Sequence, residues 1–526
     1  MMYVFISFLL ILFSFFFLPK VKNGTYDFID KHYSKIVIAL FIICFITSIY
    51  KLGIVPSGIH VDEAGMFYDA KLLAMFGHDR YLNSFPIYLI NYGRGQSVMY
   101  AYLVAFLIKT FGCRMILMRI PSVLFRLLLF ISAFFLIQNE KNKISRVLFL
   151  FLLTVTPYFI MQSRLGIDCN LLIDFMTISV SLLFNGIIYK KKSLLFLSGL
   201  FFGLSFYTYA LSFLIIPLFL LIVFAYLFYI QKIHIKDFFL FSIPFIITVV
   251  PCCLLILVNN GFLSEIRSFI TIPKIPLYGL GEISIKNILI SSRILFAIFS
   301  FDLFGENLVY NSIPYFGTLY YLSIPFFILG FSSCIVEVKK HVKAKMFSLD
   351  FLIVIWFLSV LVCMFLISFP NINKANALFV PLVFFVMKGI LIFEEKKSGI
   401  LKLIFILYVA HFSLFSYYYY FKFNQDYDTR IYFATYYLDS LNYVKDLNQK
   451  VIYIDPDITK EPYIYLYLLN PIDSFNKKSI TIQDKHYIIE LPSSFDENTL
   501  FITKRDDLGS VIHKIGDINI IGYVGD

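Results

Sequence analysis

Acidic residues stand directly after an apolar segment near the start of the chain. The run from His60 to Glu63 reads His-Val-Asp-Glu and precedes Ala64–Met75, which has helical character. An acid at the mouth of a membrane span is well placed to meet a substrate whose head group lies at the membrane surface and whose tail lies in lipid. Alternatively, Asp62 is the N-cap of a helix and Glu63 lies in its first turn, where the helix dipole favours both.

A second polar stretch, residues 161–170, contains Arg164 and Asp168 at the ends of adjacent predicted spans. We expect both residues to face the same aqueous side as Asp62. The alternative is an ion pair between Arg164 and Asp168 that ties two helices together. Tyr209 ends another predicted span on the same side.

The first loop also contains a glycine-flanked arginine, in the run from Gly93 to Gln96. The planar guanidinium of Arg94 could bind a lipid phosphate through its fork of donors. The alternatives are an arginine that reaches the headgroup region, or a salt bridge to Asp62 or Asp79. The sequence has no Walker loop, no H-E-x-x-H and no G-x-S-x-G, so it gives no support for nucleotide-driven transport.

The composition shows which elements must position these residues. Of 526 residues, 59% are apolar and 15% are charged, and mean hydropathy is +0.80, which excludes a soluble enzyme and indicates a membrane protein. The net charge of +11 comes from short Lys and Arg clusters between apolar runs. This pattern is typical of cytoplasmic loops and does not indicate a nucleic-acid partner. The seven cysteines have no C-x-x-C spacing, so they predict neither a disulfide framework nor a zinc site.

About twelve segments are apolar and long enough to span a bilayer. They are 1–18, 36–54, 119–137, 147–163, 171–189, 193–211, 213–230, 237–258, 316–336, 347–368, 376–393 and 400–420. The basic clusters then fall on one side, which is cytoplasmic, and both termini are extracytoplasmic. Two further apolar segments, 98–111 and 285–304, are predicted to lie as helices in the membrane interface.

Two domains follow from this pattern. Residues 1–420 form an all-α polytopic bundle, whose first external loop is about 55–118. Residues 421–526 contain alternating apolar runs, such as Val451–Asp455 and His486–Glu490, punctuated by Pro456, Pro471 and Pro492. They read as strands and turns and form a small extracytoplasmic α/β domain. Charges within the spans are scarce, with Arg126 the main exception.

Several of these motifs together resemble the glycosyltransferase C (GT-C) superfamily of bacterial membrane enzymes, and most closely its protein mannosyltransferase and aminoarabinose transferase branch. The resemblance covers residues 36–260 and rests on these runs: Gly58–Glu63, Gly93–Gln96, Arg119–Ser122, Ser163-Arg164 followed by Asp168, and Tyr207–Tyr209.

The resemblance implies that Asp62 of the first loop is the catalytic base, with Glu63 beside it, and that Asp168 is the second acid. It also implies juxtamembrane helices, which would explain the two interfacial segments. A Lys-Pro-Pro element that binds lipid phosphate in the aminoarabinose branch is replaced here by Tyr92–Gln96. The candidate substrate-binding residues are Arg94, Arg164, Gln96, His60 and Tyr209.

The same resemblance implies a polyprenyl-phosphate sugar as donor and a cell-envelope polysaccharide, lipid or protein as acceptor. Asp62 would deprotonate the acceptor hydroxyl, with inversion at the anomeric carbon. The superfamily contains metal-dependent and metal-independent members, so a divalent metal stays undecided; its candidate ligands are Asp62, His60 and Asp168. Richness in Phe, Ile, Lys, Asn and Tyr suggests a low-GC bacterial gene, and hence undecaprenyl phosphate and the cytoplasmic membrane.

Two rival classes remain. One is a flippase or carrier for lipid-linked glycans, which should show repeats and charges within the spans. The other is an envelope polysaccharide polymerase or ligase, which should have a large late external loop with arginines and a histidine. The loop at 259–315 has Arg267 and Arg293 but no histidine.

Overall fold

A computed structural model describes residues 2–17, 24–279, 283–299, 308–469, 477–491, 497–506 and 510–522, and these are mainly helical. The α-helices are α1 Met2–Phe17, α2 Gly24–Ile49, α3 Val61–Phe76, α4 Met99–Phe111, α5 Ile120–Ile137, α6 Lys143–Val155, α7 Pro157–Gln162, α8 Asn170–Ile188, α9 Lys192–Leu204, α10 Ser212–Tyr229, α11 Ile235–Asn259, α12 Ile288–Ser291, α13 Ile294–Ile298, α14 Ser323–Lys343, α15 Leu349–Leu366, α16 Phe379–Lys396, α17 Ile400–Phe421, α18 Tyr427–Tyr432, α19 Thr435–Lys445 and α20 Pro462–Leu469.

The remaining elements are short 3-10 helices and strands. The 3-10 helices are Met115–Met118, Ser205–Tyr207, Ile285–Asn287, Asn376–Leu378 and Phe423–Gln425. The strands are β1 Tyr88–Asn91, β2 Arg94–Ser97, β3 Ile266–Arg267, β4 Thr271–Ile272, β5 Val451–Ile454, β6 Ser479–Ile482, β7 Lys485–Ile488, β8 Thr499–Thr503, β9 Ser510–Ile515 and β10 Ile518–Gly522.

Eight helical segments of the described chain are long and apolar enough to cross a membrane, which makes this a multi-pass membrane protein. They are Gly24–Ile49, Met115–Ile137, Asn170–Ile188, Ser212–Tyr229, Ile235–Asn259, Leu349–Leu366, Asn376–Lys396 and Ile400–Phe421. The other four predicted spans are helical as well, but each is shorter, interrupted or more polar. The predicted helical bundle is confirmed.

The predicted span 147–163 is interrupted at Thr156. This residue has extended backbone angles, φ −68° and ψ 129°, and Pro157 begins the next helix. The break is expected because the residue before a proline avoids helical angles. The N–H of Tyr158 donates instead to the carbonyl of Thr318, at 3.0 Å. The backbone donor that the break leaves without a partner in its own helix is therefore hydrogen-bonded to another part of the bundle.

The two predicted interfacial segments differ from each other. Met99–Phe111 is one helix of 13 residues, too short to span a bilayer. The segment 285–304 was expected to be one helix, but it forms three short ones between Ile285 and Ile298. Its end, residues 300–304, lies outside the described residues.

The chain divides into two compact units. The first contains Met1–Tyr50, Pro86–Tyr100 and Arg119–Tyr418, and the second contains Lys51–Phe85, Ala101–Met118 and Tyr419–Asp526. The sequence prediction assigned the whole first loop to the bundle. In the structure, most of that loop folds with the C-terminal residues, whereas the segment with the β1–β2 hairpin folds with the membrane helices.

The C-terminal part of the second unit contains a six-stranded mixed sheet with the order β6-β7-β5-β8-β10-β9. Strand β5 is parallel to both of its neighbours, and the other pairs are antiparallel. Strands β8 and β10 are buried along their whole length, whereas the edge strand β9 is mostly exposed. The predicted small domain of strands and helices is confirmed, and the turn predicted at Pro456 follows β5; those predicted at Pro471 and Pro492 lie outside the described residues.

Charged side chains are wholly or partly buried in the bundle at more places than the sequence indicated. Besides Arg126, Lys388 of α16 pairs with Glu140 at 3.0 Å and with Asp350 of α15 at 3.1 Å. Asp174 of α8 is also buried. Long-range pairs of this kind were not readable from the sequence. They tie separate helices together, which is the usual way in which membrane interiors accommodate charge.

Candidate functional site

In the second unit, helix α3 begins with a reciprocal pair of hydrogen bonds. The N–H of Asp62 donates to Nδ1 of His60, and the N–H of His60 donates to Oε2 of Glu63, each at 3.2 Å. His60 is therefore the N-cap, and the expectation that Asp62 has that position is wrong. Glu63 is fully buried and closes this capping box, so its carboxylate supports the helix start.

Asp62 is the accessible acid of this pair, because 38% of its side chain is exposed. Its Oδ2 lies 3.7 Å from Nδ1 of His60. Nδ1 of His60 also accepts the backbone N–H of Asp62. An exposed carboxylate can take the proton of a bound hydroxyl, so Asp62 is a candidate general base.

A buried ion pair holds the other side of α3. Arg80 donates from Nε and Nη2 to the two carboxylate oxygens of Asp69, at 2.9 and 2.7 Å, and Nη2 also donates to the carbonyl of Gly65. Both charged side chains are essentially inaccessible to solvent. The loop after α3 is therefore fixed to the helix that carries Asp62.

The same loop contains Asp79, which is buried and accepts hydrogen bonds from the N–H groups of Tyr81 and Asn83 and from the Asn83 amide. Burial, and then the neighbouring Asp69, raise the pKa of Asp79 from 3.8 to about 6. The hydrogen bonds lower it but do not cancel the effect of burial.

This pKa gives a pH-dependent stability. Above pH 6 the folded state carries an unfavourable buried charge, and as the pH falls from about 6 towards 4 it binds a proton that the unfolded state does not. We expect this group to increase stability over that window by on the order of 2–3 kcal/mol. Asp79→Asn should reduce the gain, as measured by thermal unfolding in detergent at pH 7.5 and 5. Parallel pH curves for the two proteins would contradict the assignment.

In the first unit, the β1–β2 hairpin brings a polar cluster to Asp168. Its two-residue turn has positive φ at Tyr92 (51°) and Gly93 (81°), which suits the twist of a hairpin. The N–H of Ser97, at the end of β2, donates to Oδ2 of Asp168 at 3.1 Å. The N–H of Cys169 donates to Oδ1 at 2.9 Å. Two backbone donors thus fix the carboxylate of Asp168 and stabilise its charge.

Gly95 allows the hairpin to pack closely. A Cβ on Gly95 would lie 2.6 Å from the Tyr88 ring and 3.0 Å from Ile275. The Tyr88 hydroxyl accepts a 3.4 Å hydrogen bond from Ser97 Oγ. Burial raises the pKa of Tyr88, and the nearby Asp168 carboxylate and Cys252 thiol raise it further. Tyr88, Ser97 and Asp168 thus form one buried polar cluster at the end of the hairpin.

Cys252 also lines an apolar cavity between α10 and α11, with a volume of about 640 Å³. The remaining lining is Phe206, Phe213, Pro217, Leu220, Leu221, Phe224, Ala225, Phe228, Phe238, Phe241, Ser242, Phe245, Val249, Cys253 and Ile256. This lining suits a hydrocarbon chain. The cavity was not predictable from the sequence, because both helices have the pattern of ordinary membrane spans.

The remaining sequence-predicted residues have different environments. Arg164 is fully buried, and its Nη1 donates to the carbonyls of Thr47 and Ser48 at the end of α2. Arg94 is exposed beside the hairpin turn. Gln96 is buried, and its side-chain oxygen has no hydrogen-bond partner among the described residues. Tyr209 is half-buried and accepts the N–H of Ser212 at the start of α10.

The candidate metal ligands are engaged in protein hydrogen bonds. Nδ1 of His60 accepts the N–H of Asp62, and both oxygens of Asp168 accept backbone N–H groups. Across the described ranges, no group of three or more His, Cys, Asp or Glu side chains is arranged to hold a metal ion.

One structural element of the site could have been found from the sequence. The apolar run at 87–90, followed by Asn91-Tyr92-Gly93, is a hairpin signal. The sequence analysis interpreted this stretch only as an exposed loop around Arg94. Burial of Ser97 beside Asp168 depends on a contact across 71 positions, which no local pattern indicates.

Solved structures with the same architecture decide the fold. ArnT from Cupriavidus metallidurans bound to undecaprenyl phosphate is similar over 84% of this chain and 85% of its own, with 10% identity and a TM-score of 0.52. The same protein in its apo state gives a TM-score of 0.50 over the same shares, again with 10% identity. This is the glycosyltransferase C fold. The GT-C resemblance of the sequence is thus confirmed for the architecture.

A weaker similarity is found to the oligosaccharyltransferase AglB from Archaeoglobus fulgidus in complex with an inhibitory peptide and a dolichol-phosphate. It has 13% identity and a TM-score of 0.45, and covers 89% of this chain but 62% of AglB. The sequence matches no family model and no curated protein.

Proposed function

We propose that this protein is an integral membrane glycosyltransferase that moves a sugar from a polyprenyl-phosphate donor to a cell-envelope acceptor. The observation that carries the proposal is the apolar cavity between α10 and α11, in the same unit as the Tyr88–Ser97–Asp168 cluster at the end of the hairpin. A cavity for hydrocarbon and a fixed carboxylate in one unit suit a sugar on a lipid carrier. The GT-C fold supports this function, because ArnT has that fold and was solved with undecaprenyl phosphate.

The cavity size agrees with a lipid ligand. Its 640 Å³ lies within the range of about 300–1,000 Å³ that is usual for small-molecule sites. The lining is aliphatic and aromatic, so a prenyl chain can leave lipid for the cavity without losing any hydrogen bond. The polar end of the same donor would then reach the Asp168 cluster.

The chemistry needs one base. Asp62 takes the proton of an acceptor hydroxyl, whose oxygen forms a bond to the anomeric carbon while the bond from that carbon to the phosphate oxygen breaks. The phosphate leaves with the electron pair, and the configuration inverts. We assign the base to Asp62 because its carboxylate is substantially exposed. Two backbone donors hold Asp168, so we do not assign it as the base.

The leaving phosphate needs a cation. Arg94 is exposed, whereas Nη1 of Arg164 already donates to two carbonyls. We therefore propose Arg94 as the phosphate-binding arginine and Arg164 as a positioning residue. The basic clusters of the short loops put the cytoplasm on the opposite side, so the reaction takes place on the extracytoplasmic face of a bacterial cytoplasmic membrane.

The proposal is tested with the full-length protein in nanodiscs and a panel of undecaprenyl-phosphate sugars. The expected result is release of undecaprenyl phosphate together with transfer of sugar to added envelope glycan. A carrier would move the labelled lipid across sealed proteoliposomes without breaking it, and a polymerase or ligase would require a diphosphate-linked glycan. Either of those results, with no release from the monophosphate sugars, would refute the proposal.

Filling the cavity should affect long donors selectively. Ala225 lines the cavity, and Ala225→Phe places a ring in it. We expect the KM for an undecaprenyl donor to rise about tenfold, equivalent to about 1.4 kcal/mol of lost apolar contact, and the KM for a two-isoprene donor to stay unchanged. Ala39→Phe on exposed α2 is the matched control and should change neither value. An equal rise for both donors would contradict this role of the cavity.

A further inference from the structure

Within the second unit, a segment of the C-terminal region packs against the residues that lead into α3. The N–H of Ile59 donates to the carbonyl of Phe433 at 2.8 Å, and Thr435 Oγ1 donates to the carbonyl of Ser57 at 3.1 Å. Ser57 also donates its N–H to Oδ1 of Asn424 at 2.9 Å. The two segments are more than 360 positions apart in sequence, so the contact is specific to the tertiary fold.

A glycine makes this packing feasible. Gly58 has φ +75°, and a Cβ at this position would lie 2.2 Å from the carbonyl oxygen of Phe433 and 2.8 Å from Thr435 Oγ1. Only a glycine permits both the backbone conformation and the close approach. The C-terminal segment is thus fitted to the run that carries the candidate base.

The C-terminal segment places an aromatic ring beside the candidate catalytic base. Tyr432, the last residue of α18, stacks on the His60 imidazole with a centroid separation of 5.7 Å and an interplanar angle of 15°. It remains 38% exposed. Oδ2 of Asp62 lies 3.7 Å from Nδ1 of the same imidazole. The Tyr432 ring and the Asp62 carboxylate therefore both adjoin His60, and both are exposed. Burial, and then the Asp62 carboxylate, raise the pKa of the Tyr432 phenol, in agreement with this proximity.

The chemistry of this surface favours one of the two substrates. It includes the exposed carboxylate of Asp62 and the exposed part of the Tyr432 ring, with the buried His60 imidazole between them. Carboxylates repel the anionic phosphate of the donor, whereas they accept hydrogen bonds from sugar hydroxyls. The face of an aromatic ring carries partial negative charge and attracts the C–H groups of a sugar ring.

We propose that Tyr432 binds the acceptor sugar, with its ring against a C–H face of that sugar and the attacking hydroxyl directed to Asp62. That the bound sugar is the acceptor rests on the proposed function, whereas a site for a neutral sugar follows from the geometry alone. It makes the C-terminal region part of the site: without Tyr432 the base would remain, and the surface that orients the neutral sugar would be lost.

The test is saturation-transfer NMR on the full-length protein in nanodiscs. The probes are the methyl glycosides of glucose, galactose and N-acetylglucosamine. We expect transfer to the ring protons of at least one sugar, a reduction of about threefold or more in Tyr432→Ala, and retention in Tyr432→Phe, which keeps the ring. The matched control is Tyr443→Ala, because Tyr443 stacks on His513 in the same way, at 4.2 Å and 13°.

The possible results distinguish a failure of the Tyr432 sugar site from a failure of the proposed transferase function. No sugar signal in the natural protein, an unchanged signal in Tyr432→Ala, or an equal loss in Tyr443→Ala or Tyr432→Phe would overturn the inference. Sugar binding that needs Tyr432, without release of undecaprenyl phosphate from any donor, would keep the inference and refute the transferase. Release of undecaprenyl phosphate, together with sugar binding that does not depend on Tyr432, would support the transferase and overturn the inference.

Discussion

Asp62→Asn is expected to reduce sugar transfer about a hundredfold or more, the loss that removal of a general base produces. Asparagine keeps the size of the side chain but cannot take the acceptor proton. The capping box at the start of α3 uses His60 and Glu63 and not the Asp62 carboxylate, so the helix should fold normally. The measurement is the initial rate of transfer at saturating donor, together with the thermal unfolding midpoint.

The matched control is Asp446→Asn, an exposed acid at the end of α19 in the same unit. It should leave both the rate and the unfolding midpoint unchanged. Full activity in Asp62→Asn would refute the assignment of the base. A fall in activity accompanied by an equal fall in the amount of folded protein would show that Asp62 has a structural role.

Asp69→Asn is expected to cost about 3–5 kcal/mol of stability, because it removes the charge that balances the buried guanidinium of Arg80. The pair is inaccessible to solvent and fixes the loop after α3 to the helix that carries Asp62. The substitution should lower the unfolding midpoint strongly and reduce transfer only through the loss of folded protein. Thermal unfolding in detergent, with activity expressed per folded molecule, measures both effects.

An exposed ion pair provides the comparison for Asp69. Glu337 and Lys340 are separated by 2.6 Å, but their side chains are 42% and 64% exposed. Glu337→Gln should therefore change stability by less than about 1 kcal/mol. Similar changes in Asp69→Asn and Glu337→Gln would contradict the importance given to burial.

The sequence predicted the architecture well where the determining interactions are between residues close together in the chain. Apolar length predicted the helices, because lipid requires every backbone polar group to be satisfied within the helix. Alternating apolar runs predicted strands at Val451–Asp455 and His486–Glu490, and the structure has strands at Val451–Ile454 and Lys485–Ile488. The prediction of spans failed at Thr156, where Pro157 interrupts an apolar run that is long enough to span.

The site was less readable, because its groups meet through tertiary contacts. The sequence singled out Asp62 and Asp168, but it could not distinguish an accessible acid from one that two backbone donors hold. Glu63 was grouped with Asp62 as catalytic, whereas its burial and its bond to His60 place it in the helix cap. Tyr432 lies 370 positions after Asp62, so no spacing rule could connect them.

The anomeric configuration of the product tests the single-displacement chemistry most directly. Natural protein is incubated with an undecaprenyl-phosphate sugar of one known configuration, and the new glycosidic bond is assigned by its NMR coupling constants. One displacement by a hydroxyl that Asp62 deprotonates predicts complete inversion and one undecaprenyl phosphate released for each bond formed. Retention of configuration, or bond formation without release of undecaprenyl phosphate, would contradict it.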